Sequence, residues 1–86
     1  MPPRKPPLVM IEWEDSAQAA PQWKWLSEID GPAIAQCVSA GFLVHDGKRE
    51  KRLAVSIGCR DGKAEQASGI IAIPTRCITK LRRIRP

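Results

Sequence analysis

The sequence of 86 residues has one histidine, one phenylalanine and no tyrosine, and its three cysteines never form a CxxC pair. The odd number and wide spacing of Cys37, Cys59 and Cys77 argue against a disulfide framework and against a zinc site made of thiolates. We predict that all three are reduced and that no metal is bound. The single histidine, His45, precedes the turn signal Asp46-Gly47, so we expect its side chain to point into solvent and not to act as a catalytic base.

Several patterns typical of enzymes and of membrane or secreted proteins are missing. The sequence has no GxGxxG or GxxxxGK[ST] loop that would bind phosphate, and no apolar run approaches the roughly 20 residues of a membrane span. The opening MPPRKPP leads into only four apolar residues, which predicts no signal peptide. Glu12 and Glu14 share a strand face, a pattern more typical of a solvated surface than of an acid–base pair. We therefore expect a non-enzymatic cytoplasmic protein without a cofactor.

Charge is plentiful but uneven along the chain. Residues 1–47 contain three basic and six acidic residues, whereas residues 48–86 contain eleven basic and three acidic residues. This asymmetry indicates an anionic partner, either nucleic acid or an acidic protein surface. The candidate contact residues at the C-terminal end are Arg76, Lys80, Arg82, Arg83 and Arg85. The alternative is a solvated face whose ion pairs contribute only about 0–1 kcal/mol each.

The N-terminal third predicts a tail, a strand and a short helix. Proline and basic residues in 1–7 predict a disordered tail, and residues 8–86 are enough for one small domain. Alternation in LVMIEWED predicts a strand with Ile11 and Trp13 facing inward. Pro21 and Gly31-Pro32 bracket a predicted helix over 22–29, for which a loop with one turn is the alternative.

Three tryptophans dominate the aromatic residues of the chain. Trp23, Leu26 and Ile29 are spaced three residues apart, so they would share one apolar face of the predicted helix. A small barrel needs large side chains to fill its core, and we therefore expect Trp13 and Trp23 to be core residues. Trp25 lies off that face, which makes it a candidate for contact with a partner, although a packing role is the alternative.

The remaining sequence predicts four more strands. Val38, Ala40, Phe42 and Val44 alternate on one face of a strand that Gly41 would allow to bend, and Leu53, Val55 and Ile57 alternate on the returning strand. Residues 59–68 are expected to be a polar connection. An apolar fourth strand then ends at Pro74. A tight helical turn in PTRC and a basic fifth strand over 77–84 complete the pattern.

Together these elements predict an all-β, five-stranded antiparallel barrel with a short helical insertion after the first strand. We expect the first and last strands to pair, with Glu12 and Glu14 facing Lys80 and Arg82. On the inner side, Ile11 and Trp13 should then meet Thr79 and Leu81.

Two resemblances rest on these segments. The first resemblance is to SH3-like and Sm-like small barrels. The bent second strand of those barrels resembles VSAGFLVHDG, and their third strand resembles RLAVSIG. Their fourth strand, turn and last strand resemble ASGIIAIPTRCITKLRRI. The W-x-D element at Trp13 and the I-P-x-x-[CV]-[IV] turn starting at Ile73 resemble a group of small proteins of tailed bacteriophages and prophages. That likeness implies a bacterial or phage-infected cytoplasm and no particular reaction.

The functional prediction is an accessory binding module of phage or prophage origin that uses a basic C-terminal face to contact nucleic acid or an acidic protein surface. The alternative is a structural protein that works by self-association, because small barrels readily pair strands between copies.

Overall fold

The computed structural model describes residues 5–16, 23–29 and 34–85, except for the side chain of Glu28. The five strands are β1 (Leu8–Asp15), β2 (Ala35–Asp46), β3 (Glu50–Arg60), β4 (Lys63–Pro74) and β5 (Ile78–Arg83). Single turns of 3-10 helix occupy Leu26–Glu28 and Thr75–Cys77. The predicted tight turn before the last strand is therefore confirmed, although Cys77 belongs to this turn and not to β5.

All five strands form one antiparallel sheet in the order β4-β3-β2-β1-β5. This confirms the all-β class and the pairing of the first strand with the last. The sheet is not closed, since β4 and β5 form its two edges, so the predicted barrel is not confirmed. Closure would require hydrogen bonds between β4 and β5, and the pairings of the described strands include none.

The predicted register between β1 and β5 is correct over part of its length. Glu12 lies opposite Lys80 and Ile11 lies opposite Leu81. A register shift after Glu12 then places Trp13 opposite Ile78 instead of Thr79. The displaced Thr79 hydroxyl donates a hydrogen bond to the Glu12 carbonyl oxygen at 3.1 Å, which supports the bulge.

The prediction that Glu14 and Arg82 also take part in this contact between opposite charges is wrong. Glu14 lies opposite Gln36 on β2, and Arg82 lies opposite Met10 on β1. The guanidinium of Arg82 contacts the Met10 sulfur at 3.6 Å. Arg82 is thus level with a residue four positions before Glu14 on β1.

The core lies on one side of the sheet, which we call the core face, and it is small. Its buried residues within the described chain are Val9, Ile11, Leu53 and Ile73. Ala54 is also buried, but it pairs with Phe42 on the opposite side of the sheet. Trp13, Leu43 and Ile78 are partly buried against this cluster. The Trp13 indole N–H donates to the Ser39 hydroxyl at 3.0 Å, which satisfies its polar group.

The alternating apolar residues of β2 point away from that core. Val38 pairs with Glu12, and Phe42 pairs with Leu8, on the side of the sheet that we call the outer face. The core side of β2 carries small residues instead, because they lie opposite large residues of β1. Gly41, for example, lies opposite Val9, and a Cβ atom there would meet the Ala54 carbonyl oxygen at 2.8 Å. Gly41 thus permits β2 to approach β3 closely.

The predicted polar connection over residues 59–68 is wrong, because β3 and β4 continue through it. They are joined by Asp61 and Gly62, whose positive φ angles of 52° and 76° suit a two-residue hairpin turn. β2 pairs with β3 only at Lys51–Ala54. Residues 55–69 therefore form a two-stranded ribbon, here called the hairpin arm, that projects about 20 Å beyond the rest of the sheet.

The helix predicted over 22–29 is not confirmed. Within the described residues 23–29, only Leu26–Glu28 are helical, and they form one 3-10 turn. Trp23, Leu26 and Ile29 are all exposed, so the predicted packing of Trp23 against the core is wrong. Position 22 lies outside the described residues. In the part of the chain that is described, no helix is long and apolar enough to cross a membrane.

Candidate functional site

The predicted basic contact residues do not lie on a single face. Arg76 lies on the second 3-10 turn. Lys80 and Arg82 lie on the outer face of β5, while Arg83 pairs with Val9 on the core face. Arg85 follows the end of β5. All five side chains are exposed, so the predicted basic face is instead a basic edge along β5 and its flanks.

Two of these residues line a groove where β1 begins and β5 ends. The groove has a volume of about 470 Å³ and is lined by Lys5, Pro6, Pro7, Leu8, Phe42, Arg83, Ile84 and Arg85. Its floor is apolar, and its charged lining residues are all basic. We call it the basic groove. The combination of an apolar floor and a positive rim suits a ligand that is both apolar and anionic.

Backbone hydrogen bonds hold both walls of the basic groove. The Leu43 N–H donates to the Pro7 carbonyl oxygen at 2.8 Å, and the Ile84 N–H donates to the Leu8 carbonyl oxygen at 2.8 Å. Pro7, in the predicted tail, is therefore tied to the sheet, whereas residues 1–4 lie outside the described residues. Sequence reasoning did not find this groove, since its walls come from the two ends of the chain and from β2.

The hairpin arm carries apolar side chains with little to cover them. Val55 lies on the core face of β3, two residues beyond Leu53, and it is 71% exposed. Ile70 and Ile71 on β4 are also exposed. Gly69, with φ of 66°, brings its backbone against Val55, and a Cβ atom there would meet Val55 Cγ2 at 2.8 Å. At the tip, Arg60 forms an ion pair with Glu65 at 3.5 Å.

The two edges of the sheet differ in charge. Residues 66–74 of β4 contain no charged residue, and their outward edge has no partner strand. β5 carries Lys80, Arg82 and Arg83 within six residues. Charged side chains on an edge strand discourage pairing with another strand. The β4 edge is thus the more open of the two to a further strand.

A second exposed apolar segment follows β1. Trp25, the predicted partner contact, is 77% exposed, and Leu26 beside it is 88% exposed. Trp23, Ile29 and Ile34 are exposed as well. We call residues 23–29 the tryptophan segment. Apolar side chains grouped in this way on a surface are typical of interaction sites.

Charged residues at the β2–β3 connection form local pairs. Arg52 donates to the Glu50 carboxylate at 3.1 Å, and Lys51 pairs with Asp46. The hydrogen bond from Arg52, together with its positive charge, lowers the pKa of Glu50 below its ordinary value. His45 is exposed at the end of β2, as predicted. These pairs stabilise the connection between β2 and β3.

The cysteines and the metal-binding residue types are dispersed. Cys37, Cys59 and Cys77 are free thiols. Among the described residues, no three His, Cys, Asp or Glu side chains lie close enough together to hold a metal ion. Comparison of the chain with protein-family models, with curated proteins and with solved structures gives no match in any of the three.

Proposed function

We propose that this chain is a non-enzymatic assembly module that works by associating with further copies of itself. One observation carries the proposal. The described residues bury five hydrophobic side chains and expose eleven large ones. A sheet normally buries at least one face against another element, and none of the described elements covers the core face of the arm. A second copy joined at the β4 edge would place its own apolar core face beside this one.

The hairpin arm is the surface that we assign to this association. Its core face presents Val55, and Ile71 continues this face just beyond the arm. The adjoining β4 edge is uncharged from Gln66 to Pro74. Antiparallel pairing of β4 with β4 of a second copy would give the unpaired backbone N–H and C=O groups of both edges hydrogen-bond partners. The product would be a two-fold symmetric dimer. It would also bring the two apolar core faces alongside each other.

The test is the mass in solution, by light scattering, of the wild type and of two lysine variants. Val55→Lys places a charge on the apolar side of the arm, whereas Ser56→Lys places the same charge on the opposite side of the same strand. Both positions are exposed, so neither variant should unfold the single chain. We expect Val55→Lys to dissociate and Ser56→Lys to keep the wild-type mass. Equal masses for all three proteins would refute the role of the arm.

A second candidate function is binding of nucleic acid or another polyanion along the basic edge. It is supported by Arg76, Lys80, Arg82, Arg83 and Arg85, which are all exposed on or beside one edge strand. Binding should weaken steeply with salt. Arg82→Ala and Arg83→Ala should each reduce affinity regardless of base sequence and should flatten the salt dependence by about one unit. No binding to single- or double-stranded DNA or RNA at about 50 mM salt would eliminate this function.

The SH3-like or Sm-like character of the fold belongs to the same proposal. It is supported by the pairing of β1 with β5 and by the 3-10 turn between β4 and β5. A phage or prophage origin and a cytoplasmic location rest on the sequence resemblance. Both suit a small protein whose role is assembly.

A further inference from the structure

The tryptophan segment and the basic groove have complementary properties. The segment offers Trp25 and Leu26, which are both largely exposed. The groove offers an apolar floor of Leu8, Phe42 and Ile84 beneath basic side chains. Its volume of about 470 Å³ lies within the range of about 300–1,000 Å³ typical of sites that hold a ligand.

Charge complementarity favours the same pairing. Residues 11–30, which lead into and include the tryptophan segment, contain five acidic residues and one basic residue. Three of the acidic residues, Glu12, Glu14 and Asp15, are exposed on β1. The charged residues lining the groove are Lys5, Arg83 and Arg85. An acidic, apolar partner would therefore be attracted to the groove. Within the segment Lys24 and Glu28 balance, so the acidic side chains that the basic rim would attract are mainly those that precede the segment on β1.

The segment leaves the sheet at the end opposite to the groove of its own chain. β1 starts at the groove with Leu8 and ends with Asp15, which lies opposite Ala35 of β2. Both ends of the connection that carries the segment thus leave the sheet about 23 Å from the chain's own groove. In the structure, no residue of the segment lines that groove. A second molecule can present its groove to the segment without any rearrangement of the sheet.

We propose that Trp25 and Leu26 of one copy dock in the basic groove of a second copy. The exposed apolar side chains of the segment present on the order of 500 Å². Docking buries a similar area of the groove, so one contact removes about 1,000 Å² from water. Reciprocal docking between two copies makes two such contacts and buries about 2,000 Å² in total, which is enough for a stable dimer. This inference rests on the proposed self-association and adds a second contact to that of the arm.

The test is a mixing experiment with two variants. In the segment variant, Trp25→Ser and Leu26→Ser remove the docking side chains. In the groove variant, Arg83→Glu and Arg85→Glu reverse the rim. All four side chains are exposed, so both proteins should fold, which circular dichroism verifies.

Each variant has a matched control. Val38→Ser replaces an exposed apolar residue outside the segment and is the control for the segment variant. Lys48→Glu with Arg49→Glu makes the same charge change in the β2–β3 loop and is the control for the groove variant.

We expect each variant alone to have a lower mass by sedimentation than the wild type, with its dissociation constant raised at least tenfold, and both controls to match the wild type. An equimolar mixture should have a higher mass than either variant alone, because one intact segment meets one intact groove. Tryptophan emission should shift to the blue in the wild type as its concentration rises, and should do so less at high salt. This shift should be reduced in the segment variant, which lacks Trp25.

The outcomes separate this inference from the proposed function. If Val55→Lys dissociates the protein while the segment and groove variants do not, the arm associates and the docking inference is wrong. If the segment and groove variants dissociate it and recover on mixing while Val55→Lys does not, docking is correct and the role of the arm is wrong. A wild type of 9.5 kDa at every concentration overturns both.

Discussion

Replacing Trp13 with alanine should be among the most damaging single changes to the fold, and replacing Trp25 should be nearly neutral. Trp13 is partly buried against Val9, Ile11, Leu53 and Ile73, and it donates a hydrogen bond to Ser39 at 3.0 Å. Truncation of a fully buried tryptophan costs about 3–5 kcal/mol. Because Trp13 retains some exposure, we expect the lower part of that range, about 3 kcal/mol, including about 1 kcal/mol for the hydrogen bond.

That cost is large for this chain. A domain of this length is stabilised by about 4–13 kcal/mol, and its described core cluster has only four buried residues. Trp13→Phe should recover most of the packing and lose the hydrogen bond, which separates the two contributions. Trp25→Ala should change the free energy of unfolding by less than about 0.5 kcal/mol, as is usual at exposed positions.

Urea denaturation followed by circular dichroism measures these differences. It must be done at protein concentrations where the chain is monomeric, because association stabilises the folded state by mass action. If Trp13→Ala and Trp25→Ala unfold at the same urea concentration, the assignment of Trp13 to the core and of Trp25 to the surface is wrong.

Three further predictions concern a close backbone approach, an ion pair and the thiols. Gly41→Ala should destabilise the monomer by about 1–3 kcal/mol, because the new Cβ atom meets a backbone oxygen at 2.8 Å. Urea denaturation measures this change, and unchanged stability would contradict the close approach of β2 to β3. Arg52→Gln should raise the pKa of Glu50, followed by NMR, since Arg52 is the main cause of its lowering. A carboxyl group whose pKa is lowered by folding stabilises the fold at pH values above its pKa in the unfolded chain. This contribution is lost as the pH falls through its pKa in the folded chain. The free energy of unfolding should therefore decrease less in acid for Arg52→Gln than for the wild type. Intact mass after thiol labelling should show three reduced cysteines and no zinc; a disulfide or stoichiometric metal would contradict this.

The order and pairing of the strands could be predicted from local patterns. Alternation in β1 and β5, the proline after β4 and opposite charges at Glu12 and Lys80 were enough to predict their antiparallel contact. The bulge after Glu12 could not be predicted, since it depends on how Trp13 and Ile78 fit together. One shifted residue then placed Trp13 opposite Ile78 instead of Thr79.

The length of the β3–β4 hairpin was obscured by composition. Residues 59–68 are mostly polar, which normally indicates a loop, but a two-stranded ribbon with both faces in solvent also has polar residues. The Asp61-Gly62 turn was the available signal for a continuous hairpin. Likewise, the alternation of Val38, Ala40 and Phe42 indicates a strand face but not which side of the sheet it occupies.

The candidate site was predicted only in part. The C-terminal basic residues and Trp25 are at the surface, but they lie in different places and belong to different surfaces. The basic groove combines Lys5, Phe42 and Ile84, which are far apart in sequence. Its assembly depends on the β1–β2 and β1–β5 pairings, which bring both ends of the chain together.

Hydrogen–deuterium exchange of the β4 backbone amides at two protein concentrations tests the central claim most directly. If β4 of one copy pairs with β4 of another, amides between Gln66 and Ile73 that point away from β3 should exchange slowly at high concentration and much faster after dilution. The account predicts this dependence in the wild type and in Ser56→Lys, and its loss in Val55→Lys. Rapid exchange of these amides at both concentrations, in a protein whose mass remains 9.5 kDa, would contradict it.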